Sequence, residues 1–151
     1  MKEALYYTKH SEDAVQCVLC PHNCIIKEGK SGICNARQNK GGVLYSLIYE
    51  KPCATHVDPI EKKPLYHFLP GSRSFSLGTV GCNLQCMHCQ NWELSTSSPN
   101  DVFCHTLTAD DCVKLAIQYE CQSISYTYNE PSINIEYVLE TAIKAHDKGI
   151  K

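Results

Sequence analysis

Residues 74–92 read SFSLGTVGCNLQCMHCQNW. Phe75 and Leu77 alternate with Ser74, Ser76 and Gly78, the period-two pattern of a short strand with one apolar face. That strand runs directly into Cys82, Cys86 and Cys89, separated by three and then two residues, with Gly81 freeing the backbone to turn. Three thiolates so placed can wrap three corners of a cubane [4Fe–4S] cluster and leave the fourth iron without a protein ligand. An open corner is a binding site, as the open position of a catalytic zinc is.

Working outward, Thr108 opens TADDCVKLAIQYE, where its hydroxyl and Asp111 resemble a capping box and Cys112, Val113, Ala116 and Ile117 share one helical face. SISYTY at 123–128 alternates again and ends at Asn129-Glu130-Pro131. Ile135, Val138, Leu139, Ala142 and Ile143 predict a second amphipathic helix, closed by Lys148 and Gly149. Strand, loop, helix, given twice, is the grammar of a parallel α/β sheet or barrel, in which ligands collect at the carboxyl ends of the strands. Two such units cannot close a barrel, so the chain reads as a fragment or as one whose partner supplies the missing strands.

Upstream, residues 6–42 lack apolar periodicity and carry Cys17, Cys20, Cys24 and Cys34, with Gly29 and Gly32 loosening the return loop. Two cysteines two apart form a knuckle and four thiolates complete a tetrahedral structural zinc site, but the intervals match no standard finger; His22 could replace one sulfur, an auxiliary iron–sulfur cluster or metal-free thiols are the alternatives, and spacing alone does not choose between sulfur-ligated metals. VLYSLIY at 43–49 reads as a strand, and Pro52, Pro59, Pro64, Pro70 and Gly71 punctuate a long connection. Cys53, Cys104, Cys112 and Cys121 stand singly and read as small buried hydrophobes.

The chain has 151 residues, eleven of them cysteine, and a formal net charge of −2. The near-neutral balance gives no support for nucleic-acid or anionic-membrane binding by bulk charge. No apolar run spans a membrane and no apolar leader opens the chain, so free thiols in a cytoplasmic protein are expected rather than a disulfide scaffold. Lys62, Lys63 and Arg73 read as solvated charges, Trp92 as packing over the cysteine loop, and Tyr126 and Tyr128 as lining one side of their strand. His56, His67, His105 and His146 have no partner at ligand spacing.

PIEKKPLYHFLPGSRSFSLGTVGCNLQCMHCQNWELS at 59–95, with YTYNEP at 126–131, closely resembles the AmmeMemoRadiSam-system radical S-adenosylmethionine (SAM) enzymes, relatives of pyruvate formate-lyase activating enzymes. The resemblance runs from about Cys17 to the end of the chain and is most specific over 59–95. It implies that Cys82, Cys86 and Cys89 hold a [4Fe–4S] cluster and that SAM chelates the fourth iron. Reductive cleavage would then give methionine and a 5′-deoxyadenosyl radical for protein activation or modification. His88 stands where the family usually has an aromatic beside the adenine. Tyr128-Asn129-Glu130 stands where it has Gly-Gly-Glu, so Glu130 keeps the acid that receives the SAM ammonium while Asn129 and Tyr128 replace the glycines. The resemblance further implies an electron donor such as a flavodoxin or ferredoxin and admits a protein substrate.

The expected architecture is therefore a Cys-rich module and linker over 1–71, followed over 72–151 by the first two βα units of a radical SAM partial (β/α) barrel. The competing expectation is a non-catalytic zinc-binding interaction module, with His88 completing a zinc site on the triplet.

Overall fold

The computed structural model describes residues 1–151. Nine strands are formed: β1 (Lys2–Glu3), β2 (Tyr7–Lys9), β3 (Ala14–Cys17), β4 (Ile25–Lys27), β5 (Arg37–Lys40), β6 (Val43–Ser46), β7 (Ala54–Pro59), β8 (Arg73–Gly78) and β9 (Ser123–Tyr126). Three helices accompany them: α1 (Trp92–Ser95), α2 (Ala109–Gln118) and α3 (Ile135–His146). The strands make three separate three-stranded sheets, ordered β1-β6-β5, β2-β3-β4 and β7-β8-β9.

These sheets correct the expected partial (β/α) barrel, because β8 and β9 are the single parallel pair and every other pairing is antiparallel. The cause is local. Gly41 and Gly42, both at positive φ, make the two-residue turn that folds β5 back on β6, so the first half of the chain pairs with itself in short ladders. The stretch read as a long connection contains β7, whose register with β8 runs from Ala54↔Gly78 to Pro59↔Arg73 and occupies the edge of β8 opposite β9.

The period-two reading of β8 holds. Phe75 and Leu77 enter the largest apolar cluster with Leu107, Cys112, Val113 and Tyr137. Ser74 and Ser76 are buried on the other face, where Ser74 Oγ lies 2.6 Å from Ser125 Oγ. Thr108 caps α2 by accepting from the Asp111 N–H at 3.1 Å. On α3 the expected face is displaced: Tyr137, Thr141 and Ala145 are buried, whereas Leu139 is 42% and Ile143 66% exposed. The Tyr137 ring fixes that rotation, meeting Tyr49 and Tyr126 edge-on at centroid distances of 5.9 and 6.5 Å.

A smaller cluster of Ala4, Val15, Cys17, Ile26 and Leu44 joins the first two sheets. A third, with Cys34, Ala36, Ile48, Val80 and Ile133, packs the N-terminal cysteine segment against the loop after β8. Cys112 and Cys121 are buried as expected, and Cys53 and Cys104 are half-buried against the third cluster. The N-terminal sheets are also fastened to α3 by one buried ion pair. Arg37 Nη2 bonds Glu136 Oε1, its Nη1 donates to Leu5 O at 2.8 Å, and Glu136 Oε1 accepts from Leu5 N at 2.7 Å.

Candidate functional site

Beyond β8 the chain turns at Gly81, φ +81°, and carries Cys82, Cys86 and Cys89 to the front of α1. A cavity of about 270 Å³ opens there, lined by all three cysteines with Leu84, Asn91, Ser95, Tyr128, Asn129 and Glu130. A second hollow of about 320 Å³ reaches the same cysteines from the side of Trp92, so the sole tryptophan flanks the loop. Cys86 is exposed; Cys82 and Cys89 are half-buried. Ser95 Oγ lies 3.5 Å from Cys89 Sγ, and Leu84 N donates to Cys82 Sγ at 3.4 Å.

The loop after β9 supplies the opposite wall. Asn129 Nδ2 donates to Gly81 O at 2.8 Å and to Thr79 Oγ1 at 3.0 Å, while its Oδ1 accepts from Thr79 N at 3.3 Å. Its amide is thus committed to holding the start of the cysteine loop. Glu130 Oε1 accepts from Ser132 N at 3.1 Å, capping a short 3-10 turn, and no hydrogen bond within the chain engages Oε2. Tyr128 sits at φ +73°, the left-handed backbone that favours glycine. Its ring packs on Gly78, where an added Cβ would lie 2.6 Å from Tyr128 Cδ2. His88 is exposed and lies outside the cavity lining.

Tyr128 does not share the side of Tyr126. Its hydroxyl reaches back across the sheet to His56 Nδ1 at 3.2 Å and Asp58 Oδ2 at 3.4 Å. Asp58 is buried and paired with Lys62 at 2.8 Å and Lys63 at 2.7 Å, and Lys63 stands over the Tyr128 ring. Lys63 is therefore not the solvated charge its sequence position suggests. The Tyr128 contacts were invisible to sequence spacing because they join positions about 70 apart. Beside them Lys62, Lys63, Gln90, Asn91, Ser125 and Tyr128 border a further cavity of about 700 Å³, which shares Asn91 and Tyr128 with the cysteine cavity.

Burial opposes ionisation of Asp58, but the hydrogen bonds from Lys62 and Lys63 outweigh it and hold the carboxyl well below the usual carboxylate range. A depressed folded pKa contributes stability that is present above the unfolded value and lost as pH falls. In urea unfolding at a series of pH values, Asp58→Asn should be less stable than wild type near neutrality. The gap should begin to narrow only as pH falls below about 4, the unfolded carboxyl value, and should go on closing toward the depressed folded value.

The N-terminal cysteines also meet. Cys17, Cys20, Cys24 and Cys34 line one apolar cavity with Leu19, Ile26, Gly32, Ile33, Arg37 and Ile133. Burial pushes the Cys34 thiol up, against the opposing pull of the Ala36 backbone and the Arg37 charge. His22 points elsewhere: its Nε2–H donates to Asn83 O, 2.8 Å away in the other cysteine loop. In neither group do three or more His, Cys, Asp or Glu side chains already converge on one point as a metal site.

The two cysteine segments touch at Gly81, where an added Cβ would fall 2.2 Å from Cys34 O. Gly81→Ala should therefore cost the left-handed backbone penalty of about 1–2 kcal/mol and a clash besides. Gly41→Ala, also at positive φ but with nothing within 4 Å, should cost the backbone part alone. Urea denaturation of the two variants measures the close approach as their difference.

Uncharacterized protein MJ0808 of Methanocaldococcus jannaschii is 45% identical over 150 residues, which are 99% of this chain and 45% of that protein. The chain thus spans less than half the length of that relative. No family model matches the chain. No solved structure matches it either.

Proposed function

We propose that the chain carries the cluster-binding and SAM-contacting segment of a radical SAM enzyme. The observation that supports this reading is the single cavity in which Cys82, Cys86 and Cys89, from the loop after β8, face Glu130, from the loop after β9. The donor set fits: three soft thiols on eight consecutive residues suit iron–sulfur ligation, and a carboxylate with a free oxygen stands across the cavity from them. A [4Fe–4S] cluster bound here would supply, from a low-potential donor such as a flavodoxin or ferredoxin, the electron that cleaves SAM to methionine and a 5′-deoxyadenosyl radical.

The chain's own residues have distinct tasks in that reading. Cys82, Cys86 and Cys89 would hold three irons as thiolates, with the Ser95 hydroxyl 3.5 Å from Cys89 Sγ. Glu130 Oε2 accepts from the SAM ammonium while Oε1 stays tied to Ser132 N. Asn129 acts as a positioning residue, pinning Thr79 and Gly81 so that the cysteine loop keeps its place under Glu130. Trp92 and Leu84 border the cysteines, each with about half or more of its surface open to solvent. Substrate would enter the larger cavity beside Tyr128 and Asn91.

The test is SAM binding to the anaerobically reconstituted protein, by equilibrium dialysis. Glu130→Gln should retain its iron and weaken SAM binding by about tenfold, the scale of one charge-assisted hydrogen bond. Unchanged affinity would remove Glu130 from the site.

A further inference from the structure

We infer that Cys17, Cys20, Cys24 and Cys34 form a mononuclear tetrathiolate zinc site whose task is to brace the loop bearing Cys82, Cys86 and Cys89. Size decides the nuclearity. The apolar cavity that the four cysteines help to line holds about 10 Å³, room for about one water-sized sphere, whereas the cavity at the second cysteine loop holds about 270 Å³. A single ion fits the former; a multi-iron cluster would have to force Ile26, Ile33 and Ile133 apart.

Soft thiolates in an apolar shell select zinc among the common structural ions, with Zn–S bonds of about 2.3 Å drawing the sulfurs inward from the cavity wall. Binding releases the four thiol protons to solvent, so affinity rises with pH. Four thiolates on one Zn²⁺ leave a net negative site, and Arg37, whose guanidinium is paired with Glu136, is among the residues lining the cavity. Cys17 and Cys34 are buried, and Cys24 Sγ lies 3.7 Å from where a Cβ on Gly32 would stand, so the return loop closes tightly over the site.

Two contacts carry the bracing. His22, between Cys20 and Cys24, donates to Asn83 O beside Cys82. The Cys34 carbonyl packs on the bare face of Gly81, directly before Cys82. Fixing the four sulfurs therefore fixes both supports of the second cysteine loop. The zinc site itself does not require Cys82, Cys86 and Cys89 to hold iron.

The test uses the full chain with Cys82, Cys86 and Cys89 all changed to Ala, titrated anaerobically with Co²⁺ and then Zn²⁺. We expect about one cobalt per chain with intense thiolate-to-cobalt absorption, displaced by zinc, and its loss on adding Cys20→Ala or Cys34→Ala. Zinc loading should also slow amide exchange across residues 82–91. No cobalt uptake by a cooperatively folded chain would overturn the site, as would a brown chromophore when the same variant is instead given iron and sulfide; unchanged exchange would overturn the bracing. Should the triple variant not fold, wild type reconstituted with iron and sulfide gives the same decision. About one zinc retained beside the iron supports the site, and iron with no zinc refutes it.

Discussion

If the radical SAM reading holds, Cys86→Ala is expected to abolish the iron–sulfur chromophore formed on anaerobic reconstitution, whereas Cys20→Ala is expected to keep it. Cys86 is one of three thiols around the larger cavity, and no other cysteine lines that cavity to replace it. Two thiols from one loop leave two irons of a cubane without protein ligands, so the loss should approach the full complement of about four irons per chain. Cys20 borders the other cavity, with no lining residue in common. Its removal should instead lower the stability of the N-terminal sheets and loosen the loop that His22 supports. Iron and sulfide analysis together with the visible spectrum reads both outcomes. Equal loss of iron in the two variants would contradict the assignment of two separate sites.

Arg37→Ala should produce the largest loss of folding stability among single changes away from the cysteines. The Arg37 and Glu136 side chains are 1% and 2% exposed. Removing the guanidinium leaves the Glu136 carboxylate buried beside Leu5 N alone and frees the Leu5 carbonyl. Breaking a buried pair from one side costs about 3–5 kcal/mol. That would lower a melting temperature by on the order of 10 °C in a chain of this size. Chemical denaturation of Arg37→Ala beside Lys114→Ala, whose partner Asp111 is solvent-exposed, separates the buried pair from a surface pair worth about 0.2–1 kcal/mol. A loss for Arg37→Ala no larger than for Lys114→Ala would show that the pair does not fasten the N-terminal sheets to α3.

β8, β9, α2 and α3 were legible because their signals are local, whereas the short α1 was not expected. Alternation marks β8 and β9, and the Thr108 cap marks the start of α2. The assembly was not legible. β7 lies in a proline-punctuated stretch and is fixed by pairing with β8, which no local pattern in 52–59 announces. The outward turn of Leu139 and Ile143 follows from where Tyr137 finds Tyr49 and Tyr126, a long-range choice. The barrel expectation extended two parallel strands into a closed architecture, while the glycine turn at 41–42 and the short strands before it folded the first half into antiparallel ladders. At the candidate site, the residues singled out from spacing and resemblance line two cavities: Cys82, Cys86, Cys89 and Glu130 the first, and Cys17, Cys20, Cys24 and Cys34 the second. Asn129 lines the expected place but spends its amide on Thr79 and Gly81, and His88 faces solvent. The Tyr128 contacts with His56 and Asp58 and the His22–Asn83 link join residues 61 to 72 positions apart, beyond what motif spacing resolves.

The measurement that bears most directly on the radical SAM reading is the EPR spectrum of the anaerobically reconstituted, dithionite-reduced protein before and after SAM is added. A cluster held by Cys82, Cys86 and Cys89, with its fourth iron open toward Glu130, should give a reduced [4Fe–4S] signal that changes when SAM binds. A reconstituted protein that holds zinc alone and stays colourless, or whose EPR signal is indifferent to SAM, would contradict it.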